Sequence, residues 1–413
     1  MSAAKTGARF ISIMNQSASD CVIVGGGIGG AVLALALAQT GKRITLVEKD
    51  LHPPKAGRPE ILASATLNTF NQLGVGECMM KEAAIPLKGL QLWRSESRRL
   101  ILEFKEEDLL RAEVQPYSTN PARTRQILLK AAEKFPSITI KRGVDITELL
   151  YDHERVIGVG GICGQESIQF RSNLVVGDDG SHSRIRKNLG IHLKLQDFPL
   201  LFLGASGVLL SGQSENIGQA WINPKKIKNG LFGGIFMPQP DRRSAFVFLM
   251  TKKTYEHFLS VPTQFYEAAR HLSPLCEEME KRYQFPGDFH LFERPFGHSK
   301  KYVFEGAALI GDAAHPLTPA GGQGANTSVA DAISLAHHIG QDLKAYERER
   351  WPANQRSVQI SVRADRVLRL LLLFPFLSPF LFFFLKYVDQ NDSLKRRFLK
   401  TISRTFLSQK KSV

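Results

Sequence analysis

Cysteine is scarce in this 413-residue chain, and the four present (Cys21, Cys78, Cys163, Cys276) are scattered. No C-x-x-C pair and no metal-ligand spacing occurs, so neither a disulfide framework nor a bound metal is expected, and a reducing compartment suits the pattern. A bilayer-crossing helix is missing too. The Phe-rich stretch Leu370–Leu385 holds sixteen positions without a charge and is broken by Pro375 and Pro379. Sixteen residues make about 24 Å of helix against a hydrocarbon core of about 30 Å. A secretory signal is absent as well: residues 1–19 offer Lys5, Arg9 and only FISIM as an apolar core, which reads as a frayed tail. Acidic residues are outnumbered, with a net charge of +15, which favours anionic partners. No zinc knuckle, homeodomain-like helix or aromatic RNA-binding pattern accompanies that charge, so a nucleic-acid partner is not expected. Internal repeats at solenoid periods are lacking.

What is present centres on Asp20–Glu48, DCVIVGGGIGGAVLALALAQTGKRITLVE. A short apolar run predicts a buried parallel strand, and Gly25, Gly27 and Gly30 follow in G-x-G-x-x-G spacing. The first glycine permits a tight turn, the second lets a pyrophosphate approach the backbone, and the third lets helix and strand pack closely. A helix is predicted from Ile28 to about Gln39, stopped by Gly41, and the next strand ends on Glu48, where a carboxylate can take ribose hydroxyls. This unit specifies a dinucleotide site. It does not distinguish NAD from FAD.

Further along, Arg58–Gly74 reads as an amphipathic helix with Arg58 at its entrance, equally suited to a phosphate contact or a solvated helix start. Leu87–Trp93 and Arg98–Phe104 predict a hairpin, Ala122–Phe135 a helix carrying Arg125 in R-x-x-L, and SITIKRG a strand. ERVIGVGGICG and ESIQFRSNLVVGDDG read as a meander ending at Asp179-Gly180, with Ser183 and Arg186 in a short helix closed by Gly190. Four strand-like runs between Ile191 and about Pro295 predict a second, mainly antiparallel sheet, with two helices after Val261. ALIGD then predicts a buried strand through Gly311 to Asp312. A Gly/Pro loop, Pro316–Gly322, leads into a helix from near Gln323 to about His338, whose N-terminus stabilises negative charge on a cofactor.

These three separated motifs together resemble the class A FAD-dependent monooxygenases, the para-hydroxybenzoate-hydroxylase-like family, over roughly residues 20–340. Gly25, Gly27, Gly30 and Glu48 match the site for the ADP part of FAD. Asp179, Gly180, Ser183 and Arg186 match D-G-x-x-S-x-x-R, associated in that family with FAD and the nicotinamide coenzyme. Gly311, Asp312, Pro319, Gly322, Gln323, Gly324, Ala325 and Asn326 match the flavin-ribose acid and the loop beneath the isoalloxazine. Arg125 matches an arginine approaching the FAD diphosphate, and Arg58 a looser pattern. The departure is GDDG where the family more often has GADG, which places an extra acid at Asp178.

The resemblance implies an α/β fold: a Rossmann-like FAD layer (about 18–86, 119–190, 296–345) interleaved with a smaller β-rich substrate domain (about 87–118, 191–295), then a helical C-terminus (346–413). It implies FAD as cofactor, NADH or NADPH as a transient reductant without a domain of its own, and O2 as co-substrate. A flavin C4a-hydroperoxide would pass one oxygen atom to a small or amphipathic organic substrate, most often by hydroxylation. A flavin reductase of a prenyl-lipid-type substrate and a non-catalytic FAD-retaining membrane protein are the alternatives; a halogenase lacks its W-x-W-x-I-P stretch. No side chain is assigned as catalytic, and His315 reads as loop-shaping.

The chain ends in contrasts. Six Phe fall within Leu370–Leu385, and Lys386–Val413 then carries eight Lys/Arg against Asp389 and Asp392. An apolar wedge before a basic segment is a two-signal attachment pattern, read here as peripheral membrane contact of a cytoplasmic protein in preference to core packing alone.

Overall fold

The computed structural model describes residues 19–52, 58–293, 295–319 and 322–407. Residues 1–18 of the expected N-terminal tail, and Lys410 and Lys411 of the basic tail, lie outside the described residues.

The apolar run at the start forms the strand Ser19–Val24, with Cys21 to Val24 buried. It sits in the middle of a parallel sheet, paired in register with Ile44–Glu48 on one side and Glu166–Gly177 on the other. Ile138–Arg142 and Ala307–Leu309 extend that sheet outward, both parallel. The predicted helix occupies Ile28–Gln39, and Gly41 takes the positive φ of 78° that ends it. Nine of its twelve residues are buried, which is why it lacks an amphipathic pattern: both faces are covered, by the sheet and by neighbouring helices.

A second sheet of seven strands has the order His290–Phe292, Leu201–Val208, Arg243–Met250, Gly233–Gln239, Ile217–Ile222, Gly89–Arg94, Arg99–Phe104. The hairpin expected near residues 87–104 is its edge, and its first strand runs parallel to Ile217–Ile222, so that Trp93 stacks on Trp221 at 5.1 Å. Phe236, Phe246, Phe248, Phe265 and Phe289 fill one face of this sheet.

Two local readings are corrected. Arg58–Gly74 is not one helix: Glu60–Ala63 is a strand paired with Pro116–Thr119, and the helix begins at Ser64. The edge-strand partner decides this, since local propensity favoured a helix there. Two helices follow Val261 as expected, Pro262–Leu272 and the short Met279–Arg282, but a further helix, Lys252–Ser260, precedes it where only strand was read.

The helix Leu343–Leu373 is bound to the first sheet by a buried charge cluster. Asp331, on the helix Gly324–His338, accepts from Arg350 Nε (2.8 Å), Asn354 Nδ2 (2.8 Å) and the Gly311 amide (3.1 Å), and contacts His315 Nε2 at 2.5 Å. Burial opposes ionisation of Asp331, but the charges of His315 and Arg350 and the hydrogen bonds from His315 and Asn354 outweigh it, holding the carboxyl well below the usual range. The Thr318 amide and hydroxyl meet Ser361 Oγ, and Tyr346 donates to the Leu309 carbonyl. Through these bonds the helix fixes the loop that follows Asp312.

After Leu373 the chain turns through Pro375–Leu377 into Ser378–Asp389 and then Asp392–Leu407. Phe382, Leu385 and Val388 pack with Ile101, Leu102 and Phe104 of the second sheet, while Phe380, Phe383, Phe384 and Tyr387 on the opposite face are 53–77% exposed. The stretch is therefore core on one side and bare on the other. Lys395, counted above with the basic tail, is buried against Asp108 (3.0 Å) and Asp389 (3.6 Å). Among the described residues no single helix is long and apolar enough to cross a membrane; one pair, bent by 113°, passes by length and composition only.

Removing the guanidinium in Arg350→Ala leaves Asp331 buried with less compensation, at an expected cost of about 3–5 kcal/mol in urea unfolding. The surface pair Arg123–Asp241, broken as a control, should barely move the midpoint. Because the Asp331 carboxyl is depressed, its stabilisation is present above its unfolded value of about 4 and is lost as pH falls toward its folded value. Asp331→Asn should lack that acid-dependent part of the decline.

Candidate cofactor site

The glycine turn does what its spacing demands. Gly25 has φ 111°, and a Cβ there would lie 2.2 Å from the Asp178 carbonyl oxygen. A Cβ on Gly30 would lie 2.1 Å from the Gly25 carbonyl oxygen, so the helix can approach the strand only through glycine. Around this turn two cavities open, of about 250 and 560 Å³. The larger is lined by Gly25, Glu48, Arg125 and Asp179, and the smaller by Arg58, Glu60, Asp312, Pro319 and the start of the helix at Gly324. Gly27 and Asp178 line both. The two together make an elongated track, with one end at Glu48, its middle at the glycine turn and its other end at Pro319 and Gly322 to Ala325. FAD has that shape. The bare backbone at Gly324, where a Cβ would meet nothing within 4 Å, leaves the helix N-terminus accessible.

Glu48 is fixed at the strand end by accepting from the Gly26 amide (2.8 Å) and Arg125 Nη2 (2.5 Å), with Arg125 Nε donating to the Gly26 carbonyl (2.6 Å). The predicted ribose acid and the predicted diphosphate arginine thus form one half-buried pair across the turn. Arg58 lies 3.7 Å from Glu60 and lines the smaller cavity beside Asp312. Burial raises both Glu60 and Asp312 from their ordinary carboxylate values, and the Arg58 charge partly offsets this in each. Pro319, Gly322, Gln323, Gly324 and Ala325 line the far end, while Gly311, at φ 57°, packs behind it against Ser328 and the Asp178 carboxyl.

Other motif residues hold the scaffold. Asp179 accepts from Ser183 Oγ (2.5 Å) and the amides of Arg184 (2.7 Å) and Ile185 (3.1 Å), capping the short helix Arg184–Asn188. Gly180, at φ 83°, makes the turn between them. Arg186 donates to the carbonyls of Ala313 (2.8 Å) and Ser181 (2.7 Å), joining the second motif to the third. Asn326 accepts from the Ala63 amide and Thr66 Oγ1 and donates to the carbonyls of Ile61 and Gly322, clamping the loop to the strand Glu60–Ala63.

Sequence reasoning missed Glu60 as a cavity residue, because it read the segment as helix. It also missed Asp331, whose signal was a carboxylate on an Ala-rich helical face. Among the described residues there is no group of three or more His, Cys, Asp or Glu side chains placed to hold a metal ion.

Gly25→Ala should destroy the turn through both strain and the close approach, giving protein that no longer retains flavin through gel filtration. Gly41→Ala also meets a positive φ but nothing within 4 Å, so it should lose some stability and keep its flavin. The absorbance ratio of flavin to protein reads the difference.

Comparison with known proteins agrees with this geometry. Residues 18–361 match the family model described as FAD binding domain. The ubiquinone hydroxylase UbiL of Rhodospirillum rubrum is 26% identical, over 78% of this chain and 72% of its own. The 3-demethoxyubiquinol 3-hydroxylase of Escherichia coli is 27% identical, over 78% and 80%. Among solved structures, PqsL of Pseudomonas aeruginosa, a probable FAD-dependent monooxygenase, superposes with a TM-score of 0.72 at 20% identity, over 85% of this chain and 97% of its own. With the glycine turn, the joined cavities and a family match across most of its length, the chain belongs to the FAD binding domain family of class A flavin monooxygenases and is an FAD-dependent monooxygenase.

Proposed function

We propose that this monooxygenase hydroxylates the ring of an amphipathic aromatic substrate, of the prenylated quinol type, taken up at a lipid surface. The observation that carries this reading is the bare aromatic face of the C-terminal helices. Leu373, Phe376, Phe380 and Phe383 are 68–77% exposed, and the helices that carry or flank them also expose Arg363, Arg366 and Lys386. Exposed large apolar side chains concentrated in this way mark an interaction site. Two relatives whose names specify ubiquinone-type substrates support the same chemistry.

In this reading Glu48 takes the adenosine ribose, the backbone of Gly25 to Gly30 the pyrophosphate, and Asp312 the flavin ribose. Arg58 and Arg125 offset phosphate charge, and the helix start at Gly324 favours electron density at the near edge of the ring. Asp179 and Asn326 act by holding the two loops in place. FAD held by these residues would supply the redox chemistry, accepting a hydride from NADH or NADPH and providing the electrons for O2 activation. The protein's part is to hold the ring, admit the substrate and keep water away.

The activity test is oxygen uptake with NADH or NADPH, comparing a short-chain prenylated phenol in vesicles with a water-soluble phenol. Coupled uptake and one labelled oxygen atom in the prenylated product are expected. Substrate reduction without oxygen uptake would make the protein a reductase, and preference for the soluble phenol would refute lipid delivery.

Membrane contact is tested by co-sedimentation with anionic vesicles. Burying three Phe contributes several kcal/mol, at about 1.5–3 kcal/mol each, and is unscreened by salt. Changing Phe376, Phe380 and Phe383 together to Ser should release the protein while preserving its flavin and its unfolding midpoint. Truncation after Arg369 is unsuitable, because it uncovers the core around Phe104. Equal sedimentation of both proteins would exclude this face as the contact.

A further inference from the structure

We propose that Asp178 makes cofactor loading proton-linked: its carboxyl takes up one proton from solvent when FAD binds, and then donates a hydrogen bond toward the phosphate-bearing part of the cofactor. The inference rests on FAD as cofactor and is independent of the substrate.

The geometry is specific to this side chain. Asp178 follows the strand Glu166–Gly177, and its amide donates to the Val24 carbonyl (2.8 Å), which fixes it directly beneath the glycine turn. Its Oδ2 accepts from the Gly30 amide at 2.6 Å. A Cβ placed on Gly27 would come within 3.1 Å of Oδ2, and one on Gly311 within 2.7 Å of Oδ1, so the carboxyl lies between the first and third motifs. It lines both cavities at their junction, where G-x-G-x-x-G logic puts the pyrophosphate.

The charge balance there is adverse to an anion. Among the described residues, the smaller cavity is lined by three carboxyl groups, those of Glu60, Asp178 and Asp312, and by one cation, Arg58. Arg58 lies beside Glu60 and also lowers Asp312. Asp178 has no ion pair among the described residues. Facing it are Asp179 on its own segment, Asp312 on the turn after the last sheet strand and Asp331 on the following helix, while the glycine helix offers no charged group. In the larger cavity Arg125 pairs with Glu48 and Arg184 with Asp145; His182, Lys187, Lys49 and Asp50 also line it. Burial raises Asp178 well above the carboxylate range; the Gly30 amide opposes this, and Asp312, Asp179 and Asp331 add to it. A phosphate oxyanion brought to this point disfavours ionised Asp178 further, whereas the protonated form gains an acceptor.

The sign follows from linkage. Asp178's proton affinity rises on FAD binding, so affinity for FAD is full below the free-protein value. It falls as pH rises from that value to the bound one, by up to about tenfold per pH unit for one proton. The experiment measures FAD dissociation from the full-length holoenzyme by flavin fluorescence on dilution, between about pH 6 and 9. Wild type should show the slope. Asp178→Asn keeps an acceptor for Gly30 and a donor for phosphate, so it should bind FAD at least as tightly at high pH with the slope gone, and Asp178→Ala should also be flat. Any titration of the cofactor itself is common to all the proteins. Asp312→Asn should bind FAD more weakly with the slope retained. A flat wild-type profile, a wild-type slope in Asp178→Asn, or loss of the slope in Asp312→Asn alone would overturn the proposal.

Discussion

The site depends on one close approach, the packing of the helix Ile28–Gln39 against the end of the strand Ser19–Val24. Gly30 would collide with the Gly25 carbonyl if it carried a side chain, and Gly25 would collide with the Asp178 backbone. Because neither has one, three segments meet at the carboxyl end of the central strand: the turn itself, the end of Glu166–Gly177 and the turn after Ala307–Leu309. Such strand ends are where ligands bind in open α/β sheets. Their adjacency in the parallel sheet converts motifs some 150 residues apart into one cavity wall.

The same convergence concentrates charge. Asp178, Asp179, Asp312 and Asp331 all come from segments that end or begin at this point, and each is treated differently. Asp179 is spent on capping a helix, and Asp331 is held ionised by Arg350, His315 and a hydrogen bond from Asn354. Asp312 has Arg58 near it, whereas among the described residues the Asp178 carboxyl has the Gly30 amide and no ion pair. The identical side chain is thus a scaffold element, an ion-pair partner or a cavity group according to what surrounds it.

At the far end of the molecule the constraint is hydrophobic. The helix Ser378–Asp389 presents apolar residues on both faces, and the second sheet covers one of them. With 3.6 residues per turn, Phe382, Leu385 and Val388 fall on the covered side and Phe380, Phe383 and Tyr387 on the other. The stretch is therefore core on one face and exposed on the other.

By itself the sequence determined the dinucleotide turn, the strand–helix–strand unit that carries it and the family, because these rest on local rules: glycine where a side chain cannot fit, apolar runs for buried parallel strands, an acid at a strand end. The Ile28–Gln39 helix and the strand Ile44–Glu48 were legible almost to the residue. Only the tertiary structure decided that Glu60–Ala63 is a strand, since its partner Pro116–Thr119 lies more than fifty residues away. Tertiary structure also decided that Arg125 pairs with Glu48, that Asn326 clamps backbone, that Lys395 is buried, and that Asp178 faces the cavities. Those outcomes depend on which groups from distant segments share a low-dielectric space, and no local spacing encodes that.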